Sequence, residues 1–143
     1  MTLYSFILTV HIVTATSLIG AVLFADHLAF AWLRGKRATL PKKTMGYIHR
    51  GMYIGLGIMI VTGVYMFLPI REYLLYETAF QIKMGFLGAL LLNSVVIGKL
   101  LHISTTHTFT SLSRKTQCIF LLSGGASGAS WFSVIVAANL LGV

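Results

Sequence analysis

The chain has 143 residues, 57% of them hydrophobic and only 10% charged, whereas soluble domains carry about 25% charged residues. With a mean hydropathy of +0.86, this composition excludes an ordinary water-soluble domain and points to an integral membrane protein. The net charge of +8 calls for no nucleic acid, because membrane topology and anionic lipid headgroups account for it, and the lone Cys118 excludes an intrachain disulfide or a cysteine metal cluster.

Four apolar runs, at 4–33, 44–68, 79–103 and 117–141, each exceed the roughly 20 residues a spanning helix needs. The first is long enough to tilt or to project from the bilayer. It is too long for a signal peptide and lacks a basic flank, so it is expected to remain in the mature protein. It carries His11, Asp26 and His27. A loop follows with Arg34, Lys36, Arg37, Lys42 and Lys43.

The second run, "GYIHRGMYIGLGIMIVTGVYM", opens with His49 and Arg50. Met45, His49, Met52, Leu56, Met59, Gly63 and Met66 share one helical face, since steps of three and four stay aligned. Methionine fills irregular gaps beside large flat groups, and histidine is the commonest metal ligand. Such a stripe suits a haem edge or a copper path. It is equally the pattern of ordinary core filler with a hydrogen-bonded histidine.

The third run opens with Lys83, which either snorkels to the interface or meets an anionic group such as a porphyrin propionate. His102 and His107 lie at its other end. The fourth reads "SGGASGASWFSVIVAAN". Its small-residue repeats, Gly124 with Gly128, Ser123 with Ser127 and Gly125 with Ala129, are expected to pack closely, as are Gly55, Gly57 and Gly63. Tyr4, Trp32, Tyr73 and Tyr76 read as interfacial anchors.

Loops this short favour antiparallel neighbours, so the expected fold is all-α: one transmembrane domain over 1–143, an up-down-up-down four-helix bundle. Arg50, Lys99, Arg114 and Lys115 join the five basic residues of the first loop on one side, which makes nine of the eleven Lys and Arg. Arg71 and Lys83 lie on the other. The positive-inside rule then places both termini on the non-cytoplasmic side, with a bacterial inner (cytoplasmic) membrane as the expected location.

Depth follows from the rise of about 1.5 Å per residue. His27 and His49 come out roughly 8–9 Å from the basic end, while His11 lies about 12 Å from the opposite surface. His11 and His27 are about 160° apart around the helix, so one pocket on a straight helix does not hold both. Two polar levels are expected. The inner one has His49 as the best candidate ligand, His27 as its partner and His102 in reserve, with Arg50 at the inner surface as a candidate to hold the haem propionates. The outer one centres on His11.

Four stretches carry a resemblance. "VHIVTATSLIGAVLF", "IVTGVYMF", "FQIKMGFLGALLLN" and "SGASWFSVIVA" together resemble the four helices of the superfamily containing the CopD copper-resistance proteins and the HemJ-type protoporphyrinogen oxidases. The likeness covers most of the chain. It implies haem b, with His11 and Lys83 at the positions of the family's first-helix His and third-helix Lys; the CopD-type members imply copper handling. The second helix departs from the HemJ pattern and looks like helices of small b-type cytochromes, which favours His49 as an axial ligand. Three functions therefore stay open: a haem b protein moving electrons, to a quinone or a partner protein or acting on a porphyrin; a copper or other metal transport protein; and a non-catalytic subunit of a larger or homo-oligomeric complex in the lipid bilayer.

Overall fold

The computed structural model describes residues 2–140. Helix α1 spans Leu3–Leu33 and α2 spans Lys42–Phe67. A 3₁₀ turn, Leu68–Ile70, and a one-turn helix α3, Arg71–Leu74, prolong α2. Helix α4 spans Thr78–Thr106 and α5 Arg114–Leu140, with a 3₁₀ turn, Phe109–Ser111, between them. Among the described residues there are helices and no strand. Four helical runs are long and apolar enough to cross a membrane, Leu3–Leu33, Lys42–Leu74, Thr78–Thr106 and Arg114–Ala137. The fourth expected span reached 141, which lies outside the described residues.

The end of α1 shows why the chain turns where it does. Gly35 takes φ +71°, a conformation that costs glycine nothing. Its N–H donates to the Trp32 carbonyl (3.0 Å), and the next N–H, of Lys36, donates to that of Ala31 (2.9 Å). This pair of bonds is a Schellman motif and satisfies carbonyls that the helix end leaves open.

The helices associate in two pairs, α1 with α2 and α4 with α5, and the two pairs touch each other far less. In the first pair His11 meets Thr62, Leu18 meets Gly55, and Leu28 and Trp32 cluster with Met45. In the second, Asn93 Nδ2 donates to the Ser123 carbonyl (2.9 Å) and Ser123 Oγ donates back to Asn93 Oδ1 (2.7 Å). In hydrocarbon a polar side chain has few other partners, so reciprocal bonds of this kind fix both register and rotation.

A compact cluster ties the pairs together at one end. Leu28, Trp32, Leu40 and Met45 form it, with Phe109, Leu112 and Phe120 packed against them. Trp32 is 1% exposed, lies edge-on to both Phe109 and Phe120, and donates through Nε1 to the His107 carbonyl (3.0 Å). Leu40 N–H donates to the Ser104 carbonyl (2.9 Å). The expected interfacial role of Trp32 is thus corrected: its N–H is satisfied inside, by the loop that folds back over α1.

Of the small-residue repeats of α5, the serine pair packs as expected and the glycines do not. Ser123, Ser127 and Ser130 are buried, whereas Gly124, Gly125 and Gly128 are exposed and a side chain on any of them would meet nothing within 4 Å. The serine face, not the glycine face, is turned inward. Of the α2 glycines, Gly55 and Gly63 contact α1, and Gly57 faces open space. Large apolar residues such as Leu23, Leu92, Leu122 and Phe132 are exposed around the outside, as lipid contact requires.

Candidate functional site

Two polar levels are present, and they differ from one another in chemistry. At the first, His11 Nδ1 lies 2.7 Å from Thr62 Oγ1. The Thr62 hydroxyl carries one hydrogen, and the Ile58 carbonyl of its own helix lies 2.7 Å away as an acceptor for it. The Met59 carbonyl lies 3.3 Å from the same hydroxyl; with the hydroxyl hydrogen on a backbone carbonyl, Nδ1 is the donor toward Thr62, and with it directed at Nδ1 the ring takes the other tautomer. In the first of these tautomers the neutral ring presents its lone pair at Nε2. A Cβ on Gly63 would stand 3.6 Å from His11 Cε1, an ordinary van der Waals distance, so the ring packs against α2 at this glycine. Lys83 of α4, half-buried, lies within electrostatic reach of the imidazole. His11 and Lys83, from opposite helix pairs, thus come to one level.

The second level is a cavity of about 140 Å³ between the two helix pairs, walled by all four long helices. Asp26, His49, Tyr53, Asn93 and Ser123 are among its polar lining residues, and Met45, Met52, Leu56, Leu90 and Trp131 among its less polar ones. His49 lies edge-on to Tyr53, with ring centroids 4.7 Å apart. Its Nε2 is only 3.0 Å from where a side chain on Gly98 would begin, so Gly98 is what allows α2 to approach α4 here. Tyr53 Oη reaches toward the Ser94 carbonyl at 3.4 Å.

The expected partners of His49 are not brought to it. His27 is exposed and does not line the cavity, while its neighbour Asp26 does. Matching depth was the ground for pairing His27 with His49, but depth says nothing about rotation. Leu18, Val22, Leu28 and Trp32 are the buried residues of α1, and one residue's step of about 100° carries His27 off that face. His102 is exposed on α4 and does not line the cavity; its carbonyl accepts the Thr105 and Thr106 hydroxyls (3.0 and 2.8 Å). Arg50 is exposed at the start of α2. The methionine stripe turns inward: Met45 is buried, Met52, Met59 and Met66 are partly buried, and the first two line the cavity. No cluster of three or more His, Cys, Asp or Glu occurs among the described residues.

Sequence reasoning passed over Thr62, Asn93 and Trp131. A polar side chain in the middle of an apolar run is a usable signal in lipid, and Asn93 within "LLLNS" carries it although it is not ionisable.

The fold and site define an all-helical protein with four helices able to cross a membrane and histidines at two depths. No family model, no curated protein and no solved structure matches the chain.

Proposed function

We propose that the chain is a haem b-binding membrane protein of electron transfer or a related membrane redox reaction, and that His11 is its first axial ligand. The observation that carries this reading is the 2.7 Å hydrogen bond between His11 Nδ1 and the Thr62 hydroxyl, which has the Ile58 carbonyl 2.7 Å away to take its own proton. An imidazole anchored through one nitrogen, with the other left as a lone pair, is how metal-ligating histidines are held and oriented. Lys83 at the same level is a cation suited to a propionate carboxylate. When bound, haem would supply one-electron chemistry, and the protein would supply the ligand and a water-poor setting.

The inner cavity fits a porphyrin poorly. Its 140 Å³ extends along about ten residues of each helix, or roughly 15 Å, which leaves a slot one ring edge or one chain wide. The donor set at His11 is the better match.

The proposed topology is up-down-up-down with both termini on the non-cytoplasmic side, in a bacterial inner membrane. The two basic loops support it, because Trp32 with His107 and Leu40 with Ser104 hold them at one end of the molecule, as a shared cytoplasmic side requires.

The test is the absorption spectrum of the purified protein and of two variants. The expected result is a Soret band that is lost or shifted in His11→Ala and kept in His49→Ala. The reverse pattern would move the ligand to the inner level, and a colourless protein carrying copper would replace this reading by metal transport.

A further inference from the structure

We propose that the basic end of the molecule carries a discrete site for a phosphate group, in a second cavity between the loop after α1 and the connection from α4 to α5.

This cavity holds about 200 Å³. Arg37 of the first loop and Thr108 and Thr110 of the connection line it, with Trp32 and Phe109 as its aromatic wall. At about 30 Å³ per water molecule, there is room for a phosphate and the atoms joined to it. Apart from Trp32, the cavity shares no lining residue with the one between the helix pairs.

Its polar side chains are donors without an internal acceptor. In the same connection the hydroxyls of Thr106, Ser111 and Ser113 bond within the chain. Thr108 makes no capping bond, and neither its hydroxyl nor that of Thr110 has a partner among the described residues. The neighbouring carbonyls already accept: that of His107 from Trp32 Nε1, that of Thr108 from the Ser111 N–H and hydroxyl, and that of Phe109 from the Leu112 N–H and the Gln117 amide. No acidic residue lines the cavity with Arg37. Of the three acids in the chain, Glu72 and Glu77 follow α2 and precede α4, and Asp26 lines the other cavity. The anion for Arg37 must therefore come from outside. A carboxylate has two oxygens to share between a guanidinium and two hydroxyls; a phosphate has four, and the guanidinium fork matches it.

Location favours a lipid headgroup as the source. Trp32 is the penultimate residue of α1, a helix able to cross a membrane, so the cavity lies at headgroup level. Nine of the eleven Lys and Arg gather at this end and would concentrate anionic lipid there. Most of them form a diffuse field: Lys42, Lys43, Arg114 and Lys115 are exposed outside the cavity wall, and Arg34 lies over the Phe30 ring at 4.2 Å. Arg37 is the cation that lines the cavity. A phosphate held there would tie the first helix pair to the second, beside the Trp32–His107 and Leu40–Ser104 bonds, so binding should also stabilise the fold.

The experiment uses the whole protein, delipidated in neutral detergent at about 0.5 M salt, where charges out of contact are screened. It is titrated with dioleoylphosphatidylglycerol, with dioleoylphosphatidylcholine, whose choline offsets the phosphate charge, and with inorganic phosphate. Native mass spectrometry counts bound lipid, and thermal unfolding reads stabilisation by either ligand. The expected result is one phosphatidylglycerol bound, with a raised melting temperature and much weaker binding of phosphatidylcholine. Arg37→Gln should weaken phosphatidylglycerol binding about fivefold or more, the effect of one basic residue at an anionic surface. Lys43→Gln removes the same charge outside the cavity and should change it less than about twofold. Thr108→Val with Thr110→Val should weaken binding with no change of charge. All four residues are exposed, so these variants should fold. Stabilisation by inorganic phosphate that Arg37→Gln abolishes, without phosphatidylglycerol binding, would keep the phosphate site and assign its occupant to the water. Equal losses in Arg37→Gln and Lys43→Gln, unchanged affinity in the threonine double variant, or no binding of either ligand would overturn the proposal. None of these outcomes bears on the His11 reading, which stands or falls on the Soret band.

Discussion

Leu18 of α1 occupies the space that a side chain on Gly55 of α2 would need: its Cδ2 lies 2.6 Å, and its Cγ 3.0 Å, from the position a Cβ would take. Both residues are buried, so the contact is a knob of one helix set into a glycine notch of the other. In lipid, where apolar burial does not drive association, such close approach is a main source of affinity between helices. Gly55→Ala should cost about 1–3 kcal/mol, the usual penalty of overpacking. Trimming the knob should relieve it, so Leu18→Ala with Gly55→Ala should cost less than the sum of the two single changes. SDS-induced unfolding in mixed micelles measures all three, and strictly additive costs would show that the two residues do not interact.

Gly98 does for His49 what Gly55 does for Leu18, at 3.0 Å from Nε2. Gly98→Ala should displace the imidazole from its edge-on contact with Tyr53 and lower stability. In a His49→Ala background the same change should be nearly free. A coupling of about 0.5 kcal/mol or more in the double-mutant cycle is the expected sign of contact; none would mean that the helices stand further apart at this level.

The Asn93–Ser123 pair should hold α4 to α5 unequally. Ser123→Ala removes one hydrogen bond and leaves Asn93 Nδ2 still bonded to the backbone carbonyl, so it should cost about 0.6 kcal/mol, the average for such bonds in a membrane protein. Asn93→Ala removes both bonds and should cost more. The double variant should be no less stable than Asn93→Ala by more than about 0.3–0.5 kcal/mol, the scatter of independent sites. Equal costs for the two single changes would contradict the reciprocal geometry.

The Thr62 hydroxyl is expected to set the tautomer of His11. In the wild type, ring ¹⁵N shifts should report protonation at Nδ1. Thr62→Val keeps the shape, removes the acceptor and should yield a mixture or the Nε2–H form, with a stability loss of about 1–3 kcal/mol for the unsatisfied donor. A wild-type ring protonated at Nε2 alone would remove the basis for ligation at that atom.

For the topology, cysteine labelling in a Cys118→Ser background is decisive. A membrane-impermeant maleimide added to intact cells should modify Tyr76→Cys, in the connection after α3, and spare Thr39→Cys in the basic loop, until the cells are permeabilised. The opposite pattern would invert the protein.

The sequence by itself determined the class and the ends. Four runs of apolar residues long enough to cross a membrane lie where the four helical runs lie, because in hydrocarbon every backbone group must be satisfied within a helix and length alone then reports a candidate span. The inward turn of Met45 and Met52 was also legible, since a face repeated every three to four residues survives any packing. Tertiary structure decided what turns toward what. His27 and His49 matched in depth, yet Leu28 and Trp32 took the inward face of α1 and left His27 outside. Three small-residue repeats of α5 were equal candidates for a packing seam, and Ser123 with Ser127 took that place rather than Gly124 with Gly128, because Asn93 bonds to Ser123 across the pair. Nothing local records these choices. Rotation about a helix axis in lipid is set by a few polar bonds and notches between helices, and which side chains meet there depends on the partner helix, not on the run that carries them.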